Sequence, residues 1–292
     1  MFSCVIIGEQ WLVAECGEIL LRRGHRIEQV LSSNPRLQEW ARSHDLPVRE
    51  WADKAGNPLP DTGFDWLFSI SNLRIIPDDM VARARQGAIN FHDGPLPWLA
   101  GLNTPSWAIL EGREDHGVTW HRIAGGIDEG GICARAVFPI QPDDTAFTLN
   151  SRCFEAGIRS FAEVVDGIES GTLADTPQDF SERRYYARDR RPDAAGILDF
   201  GKPSEELDRL VRALDFGVGY RNPLVTPKIV TPGGTYRVVR LERGEPTVLP
   251  PGSVASVTRW SAAATVRRAP VTEATDPGGS TVGSPRSSRT TR

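Results

Sequence analysis

Lysine and cysteine are scarce in this chain, and each shortage excludes something. Lys54, Lys202 and Lys228 are the only lysines, arginine supplies the rest of the 34 basic residues, and 38 acidic ones leave a net charge of −4. That balance argues against a general binder of nucleic acid or of a membrane surface. The four cysteines, Cys4, Cys16, Cys133 and Cys153, show no C-x-x-C spacing and stand in apolar patterns. Buried reduced thiols are expected rather than a disulfide framework or a zinc site, and no metal is expected elsewhere. No apolar run reaches the roughly eighteen residues of a membrane span. The start "MFSCVIIGEQ" enters a strand at once without a basic leader, so a cytoplasmic protein is expected. A dinucleotide fingerprint is missing too. "GEQWLVAECG" lacks G-x-G-x-x-G, and Trp11 stands where backbone would have to approach a pyrophosphate. Gly8 is read as a strand-to-helix turn.

What is present is alternation. "SCVIIG" reads as a buried strand, and Leu12, Cys16, Ile19 and Leu20 recur at helical spacing before Gly24. "RIEQVLSS" follows as a second strand, which makes a right-handed βαβ unit with parallel strands. The pattern continues with helix "LQEWARSHDL", strand "DWLFSI", helix "PDDMVARAR" and strand "GAINFH". Thr104 is expected to cap a helix with Pro105 at its first position. "GVTWHRIA" and "RAVFPI" read as strands around the loop "GGIDEGGI". A long helix capped by Thr145 and ended by Gly171 buries Phe154, Ile158, Phe161, Val165 and Ile168. Ser204 is expected to cap an amphipathic helix with Leu207, Leu210, Val211 and Leu214 inward. "KIVT", "TYRVVRLE" and "GSVASV" read as short strands.

The expected fold class is α/β. A Rossmann-like parallel-sheet domain over 1–180 is followed by a linker over 181–200 and a small, truncated β-rich subdomain over 201–260. Residues 261–292 hold Ala, Thr, Ser, Arg, Pro and Gly without periodicity, and are expected to be a disordered tail. Arg188, Arg190 and Arg191 form a basic cluster, read as a solvated linker with phosphate contact as the alternative.

The residues suited to chemistry stand at one strand end. Asn90 and His92 are two apart, so both side chains share a face at the edge where α/β sheets place ligands. An amide beside an imidazole offers a hydrogen-bond donor next to a proton carrier, a pairing suited to acyl transfer to an amine. No G-x-S-x-G elbow is present, and no cysteine stands beside a histidine. Asp128, between glycines, can fix the tautomer of His92. Leu96, Gly101, Trp120 and His121 are candidate pocket walls, with a satisfied core histidine as the other reading of His121.

Read in order, Asn-x-His, Pro-Leu-Pro, Trp-Ala-Ile, Gly-Val-Thr-x-His and Ile-Asp-x-Gly-x-Ile resemble the 10-formyltetrahydrofolate-dependent formyltransferases over most of residues 1–175. The resemblance implies a catalytic trio of Asn90, His92 and Asp128. It implies that 10-formyltetrahydrofolate, as co-substrate, is held by Asn72, Leu73, Arg74, Ile75, Ile76 and Pro77, and by the loop residues Gly125, Gly126, Ile127 and Gly130. "FSISNLRIIP", "INFHDGPLP", "NTPSWAIL" and "LDFGVGYRNPLVTPK" resemble most the formylation domain at the start of some nonribosomal peptide synthetases. The acceptor amine this implies is an aminoacyl group on a carrier protein. The alternatives are a nucleotide-sugar amine, initiator methionyl-tRNA (the one case that would involve RNA), or a module that binds folate or carrier without turnover. Neither DNA nor a membrane is an expected partner.

Overall fold

The computed structural model describes residues 1–51, 58–238 and Leu241. The expected tail over 261–292 and the strand "GSVASV" lie outside them. The first half alternates as the sequence pattern predicts: β1 (Ser3–Ile7), α1 (Leu12–Arg22), β2 (Arg26–Leu31), α2 (Pro35–Ser43), β3 (Val48–Arg49), β4 (Phe64–Ser69), α3 (Asp78–Val81) and β5 (Ala84–His92). It continues with β6 (Leu99–Gly101), α4 (Thr104–Leu110), β7 (Asp115–Arg122), β8 (Ile132–Pro139) and α5 (Ala146–Ser170). Then come β9 (Arg184–Tyr186), α6 (Ser204–Ala213), β10 (Lys228–Thr231) and β11 (Gly234–Arg237).

Seven strands form one sheet in the order β3-β2-β1-β4-β5-β7-β8. The strands from β3 to β5 pair in parallel, whereas β7 runs antiparallel to both β5 and β8. Every residue of β1 is buried, because both faces of the sheet are covered. Cys4 and Ile6 pack with α1 and α5 residues such as Leu12, Cys16 and Phe161. Val5 and Ile7 pack on the opposite side with Leu67, Ile76 and Met80. Gly8 ends β1 because a Cβ there would collide with the Ile70 carbonyl just beyond β4. The turn reading of Gly8 therefore has a steric cause.

Several expectations need correction. The helix expected from Pro77 through Arg85 is one turn, and Ala84 already belongs to β5. Thr104 does not cap α4: Asn103 holds the capping position in left-handed backbone, and the Thr104 hydroxyl donates to the Asp93 carbonyl at 2.6 Å. Pro203, not Ser204, precedes α6. By contrast, Thr145 caps α5 through a reciprocal bond with Thr148, and Gly171 (φ 69°) closes it. The segment read as a linker is packed. Its β9 pairs in parallel with β6, and buried Tyr186 stacks on Trp107 with centroids 4.9 Å apart. Among the described residues of the C-terminal part, β10 and β11 form a hairpin, and Ile229 and Val238 pack toward α6 through Leu207 and Val211. No helix among the described residues is long and apolar enough to cross a membrane.

Candidate active site

The site lies where strand direction reverses. Ser69 at the end of β4 pairs with Asn90 on β5, and Asn90 pairs with His121 on β7. His92 pairs with Thr119. Period-two alternation then aims Asn90, His92, Thr119 and His121 to one face. It aims Phe91, Val118 and Trp120 to the other, where they join the core under α5.

Four polar side chains converge. The Asn90 amide nitrogen is 3.1 Å from His121 Nε2 and also donates to the Phe91 carbonyl at 3.1 Å. His121 Nδ1 donates to the Arg122 carbonyl at 2.8 Å, which leaves Nε2 as the acceptor for that amide. Nε2 also faces Asp128 Oδ1 at 3.5 Å. His92 Nε2 donates to the Leu99 carbonyl at 2.6 Å. Its Nδ1 is thereby turned toward two carboxylates, Asp128 Oδ2 at 3.7 Å and Asp93 Oδ1 at 3.9 Å.

Asp128 reaches this position from a loop pinned at several points. Its backbone is left-handed (φ 56°), and its Oδ2 accepts the Gly101 N–H at 2.8 Å. Gln178, beyond α5, donates to the carbonyls of Asp128 at 3.0 Å and Gly130 at 2.7 Å. Burial pushes the Asp128 carboxyl up, but the facing His92 imidazole and the Gly101 N–H oppose it, and the group is held well below the usual carboxylate range. Asp93 goes the other way, raised chiefly by burial. Two carboxylates that face one imidazole nitrogen are thus driven apart in acidity.

The remaining candidates divide. Gly101 (φ 94°) supplies the N–H that holds Asp128, and a Cβ there would strike the Tyr186 carbonyl. Buried Leu96 precedes a cis proline, and its N–H donates to Thr119 Oγ1 at 3.0 Å. Trp120 is not a pocket wall. It is fully buried on the helix side, and its indole N–H donates to Ser160 of α5 at 3.0 Å. Residues 72–77 form a lip after β4. Asn72 Oδ1 accepts the Arg74 N–H at 3.0 Å, while Leu73 and Ile75 are 69% and 74% exposed and Ile76 is buried. Pro77 is exposed at the start of α3. In the loop after β7, Gly125 and Gly126 are exposed, Ile127 is 48% exposed, and Gly130 is buried against Arg122.

Sequence reasoning missed the contributions of Leu99, Thr119, Asp93 and Gln178. Thr119 and the role of His121 follow from the period of β7 only once its antiparallel register on β5 is known. No local pattern marks Gln178.

Comparison with known proteins agrees with this architecture. Residues 47–165 match the family model for formyl transferase. An N-formyltransferase from Helicobacter canadensis, solved with folinic acid and dTDP-3-aminofucose, is 21% identical with a TM-score of 0.62, covering 82% of this chain and 87% of its own. A 4-N formyltransferase from Francisella tularensis is 18% identical with a TM-score of 0.67, covering 84% of this chain and 98% of its own. HypX from Aquifex aeolicus in complex with tetrahydrofolic acid is 19% identical with a TM-score of 0.60, covering 88% of this chain but 40% of its own. These likenesses establish the α/β fold, and the segment matched by the formyl transferase model contains Asn90, His92, His121 and Asp128.

Proposed function

We propose that this protein transfers a formyl group from 10-formyltetrahydrofolate to an acceptor amine. The observation that carries the reading is the convergence of Asn90, His92, His121 and Asp128 at the direction switch of the sheet, inside the segment matched to formyl transferases. The co-substrate, when bound, supplies the formyl carbon. The residues fit it. Leu73, Ile75 and Ile127 leave apolar surface exposed on two loops that depart from strands paired at Asn90, which suits a flat, partly apolar ligand.

The chain's own groups divide the work. Asp128 stays ionised and holds His92 by charge. A proton taken up at His92 Nδ1 lies between Asp128 and Asp93, so the imidazole can accept a proton there and return it. The Asn90 amide meets an oxygen that gains negative charge by giving up its bond to His121 or to Phe91. His121, with Nδ1 fixed on a carbonyl, keeps the amide oriented until then.

Two acceptor classes have support. An amino sugar on a nucleotide is favoured by the Helicobacter canadensis enzyme, which matches over most of both chains and was solved with such a compound. An aminoacyl group on a carrier protein is favoured by the "LDFGVGYRNPLVTPK" motif, whose Asn222 pins its loop by donating to the Leu214 and Val225 carbonyls at 2.8 and 2.6 Å. The test supplies 10-formyltetrahydrofolate with a dTDP-amino sugar, an aminoacyl-carrier or initiator methionyl-tRNA. The expected result is that one acceptor gains the mass of CO, and that His92→Ala and Asn90→Ala abolish most of the gain. Absence of transfer to every amine tried, with the folded protein in excess, rejects the reading.

A further inference from the structure

We propose that the cleft between Arg191 and Arg221 is a phosphate site that holds the acceptor by a phosphate ester or diphosphate; this rests on the formyl-transfer reading above. The cleft has a volume of about 430 Å³ and is lined by Arg191, Arg221, Asn222, Pro223 and Leu224. It lies apart from the Asn90–Asp128 cluster and includes no residue of it. Two guanidinium groups border one cavity, and neither makes an ion pair among the described residues, although Asp189 and Asp193 stand close in sequence. Arg159 on α5 also lacks an ion pair among the described residues, but it stands outside the cleft. A pair of arginines around one concavity is different, because one phosphate placed there can accept from both.

The Arg191 side chain is held by neighbouring carbonyls, and the turn that follows Arg221 is fixed. Arg191 donates to the Arg188 and Arg190 carbonyls, each at 2.9 Å, and the next residue, Pro192, is buried. Arg221 precedes Asn222, whose two amide bonds to carbonyls and one accepted bond from the Leu224 N–H at 2.8 Å fix its turn. Arginine presents planar, paired donors that match phosphate oxygens, and both side chains are exposed to meet them.

The cleft is also tied to the candidate active site. Arg190 lies over the Tyr186 ring at 4.9 Å, and Tyr186 pairs with Gly101, whose N–H holds Asp128. Arg191 is five residues beyond Tyr186, so extended chain limits their separation to about 18 Å. The proposal accordingly places the acceptor's phosphate in the cleft and its amine toward the cluster.

Direct binding to the full chain tests this without formyl transfer. The probes are dTDP, coenzyme A (which carries the pantetheine phosphate) and inorganic pyrophosphate, followed by calorimetry in low and high salt. We expect at least one probe to bind, binding to weaken with salt, and Arg191→Gln and Arg221→Gln each to weaken it by about tenfold to a hundredfold. Arg159→Gln should bind as the wild type does. Preference for dTDP identifies a nucleotide acceptor, and preference for coenzyme A a pantetheine-borne one. The proposal is overturned if no probe binds the wild type, if both cleft variants bind unchanged, or if Arg159→Gln weakens binding equally. Formyl transfer that persists in any of those cases leaves the function standing and removes only the phosphate site.

Discussion

The two halves of the sheet end at the same level but differ in what they present there. In the parallel half, β1 is apolar from Cys4 to Ile7 and buried on both faces, and it stops at Gly8 because Ile70 leaves no room for a side chain. At the direction switch, β5 and β7 offer Asn90, His92, Thr119 and His121 to one side. The contrast has a simple physical source. A strand covered on both faces has no position for a polar side chain without a partner. At the switch the buried polar side chains partner one another, and a loop pinned by Gln178 and Gly101 brings a carboxylate over them. Within β7 the same contrast is compressed into one residue step: His121 belongs to the site, and Trp120 belongs to the core under α5.

The largest expected effect tests the polar side. Asp128→Asn keeps the size of the side chain and removes the charge that His92 and His121 face. Turnover should fall by about 10²–10⁴-fold, the range for loss of positioned acid–base chemistry. Because Asp128 sits below the ordinary carboxylate range, it stays ionised at neutral and mildly acidic pH. A wild-type rate that falls on acidification therefore reports another group. A variant within threefold of wild type in formyl transfer assays would remove Asp128 from the mechanism. Trp120→Ala tests the apolar side. It should lower unfolding free energy by about 3–5 kcal/mol, as for other large aromatic truncations in cores. The milder Trp120→Phe should keep turnover near wild type at temperatures below its melting point. Loss of turnover in Trp120→Phe comparable to that in Asp128→Asn would erase the division between the two faces.

How much of this was legible in the sequence follows the range of each interaction. Asn90 and His92 were visible because two-residue spacing on a strand needs no tertiary knowledge. The glycines around Asp128 marked a loop able to approach a site, and Thr145 was visible as a cap because its partner, Thr148, is three residues away. The face of Trp120 was not legible. Alternation groups Trp120 apart from His121, but only pairing with β5 says which group meets the helix. Thr104 misled for a related reason: it suits a cap, yet Asp93, eleven residues earlier, takes its hydroxyl. The segment around Tyr186 looked like a linker because β9 is three residues long and finds its partner, β6, more than eighty residues upstream.

A smaller effect concerns His116, at the buried start of β7 beneath the site. Burial drives its pKa down to about 3, against a weaker opposing contribution from its bond to the Asp93 carbonyl, 2.9 Å from Nε2. The unfolded chain takes up this proton near the ordinary histidine value, about 6.5, whereas the folded chain does so only near 3. Between those values the unfolded state binds more protons, so stability declines as pH falls through the window and is fully present above it. His116→Gln should flatten the dependence of the denaturation midpoint on pH between neutrality and pH ~4. Some slope should persist, since His25 is also lowered, first by burial. An unchanged slope in His116→Gln denaturation curves would mean that this imidazole is already solvated in the native state.

The smallest effect sharpens the comparison, because it perturbs the helix over the apolar face without touching either strand of the site. Thr145 and Thr148 exchange bonds of 2.9 and 3.2 Å at the start of α5. Thr145→Ala removes the hydroxyl that satisfies the Thr148 N–H, and should lower stability by about 1 kcal/mol. Thr145→Ser keeps that oxygen and should recover most of the loss. Turnover should be unchanged in both, because α5 meets the sheet through Phe161 and Ser160, on the side away from Asn90 and His92. If the faces are independent, Thr145→Ala combined with His92→Ala should show the sum of the single effects within about 0.5 kcal/mol in stability, and no further fall in rate. A coupling well beyond that would mean that α5 transmits strain through β7 to the polar side, so that the sheet acts as one body and not as a partition between core and chemistry.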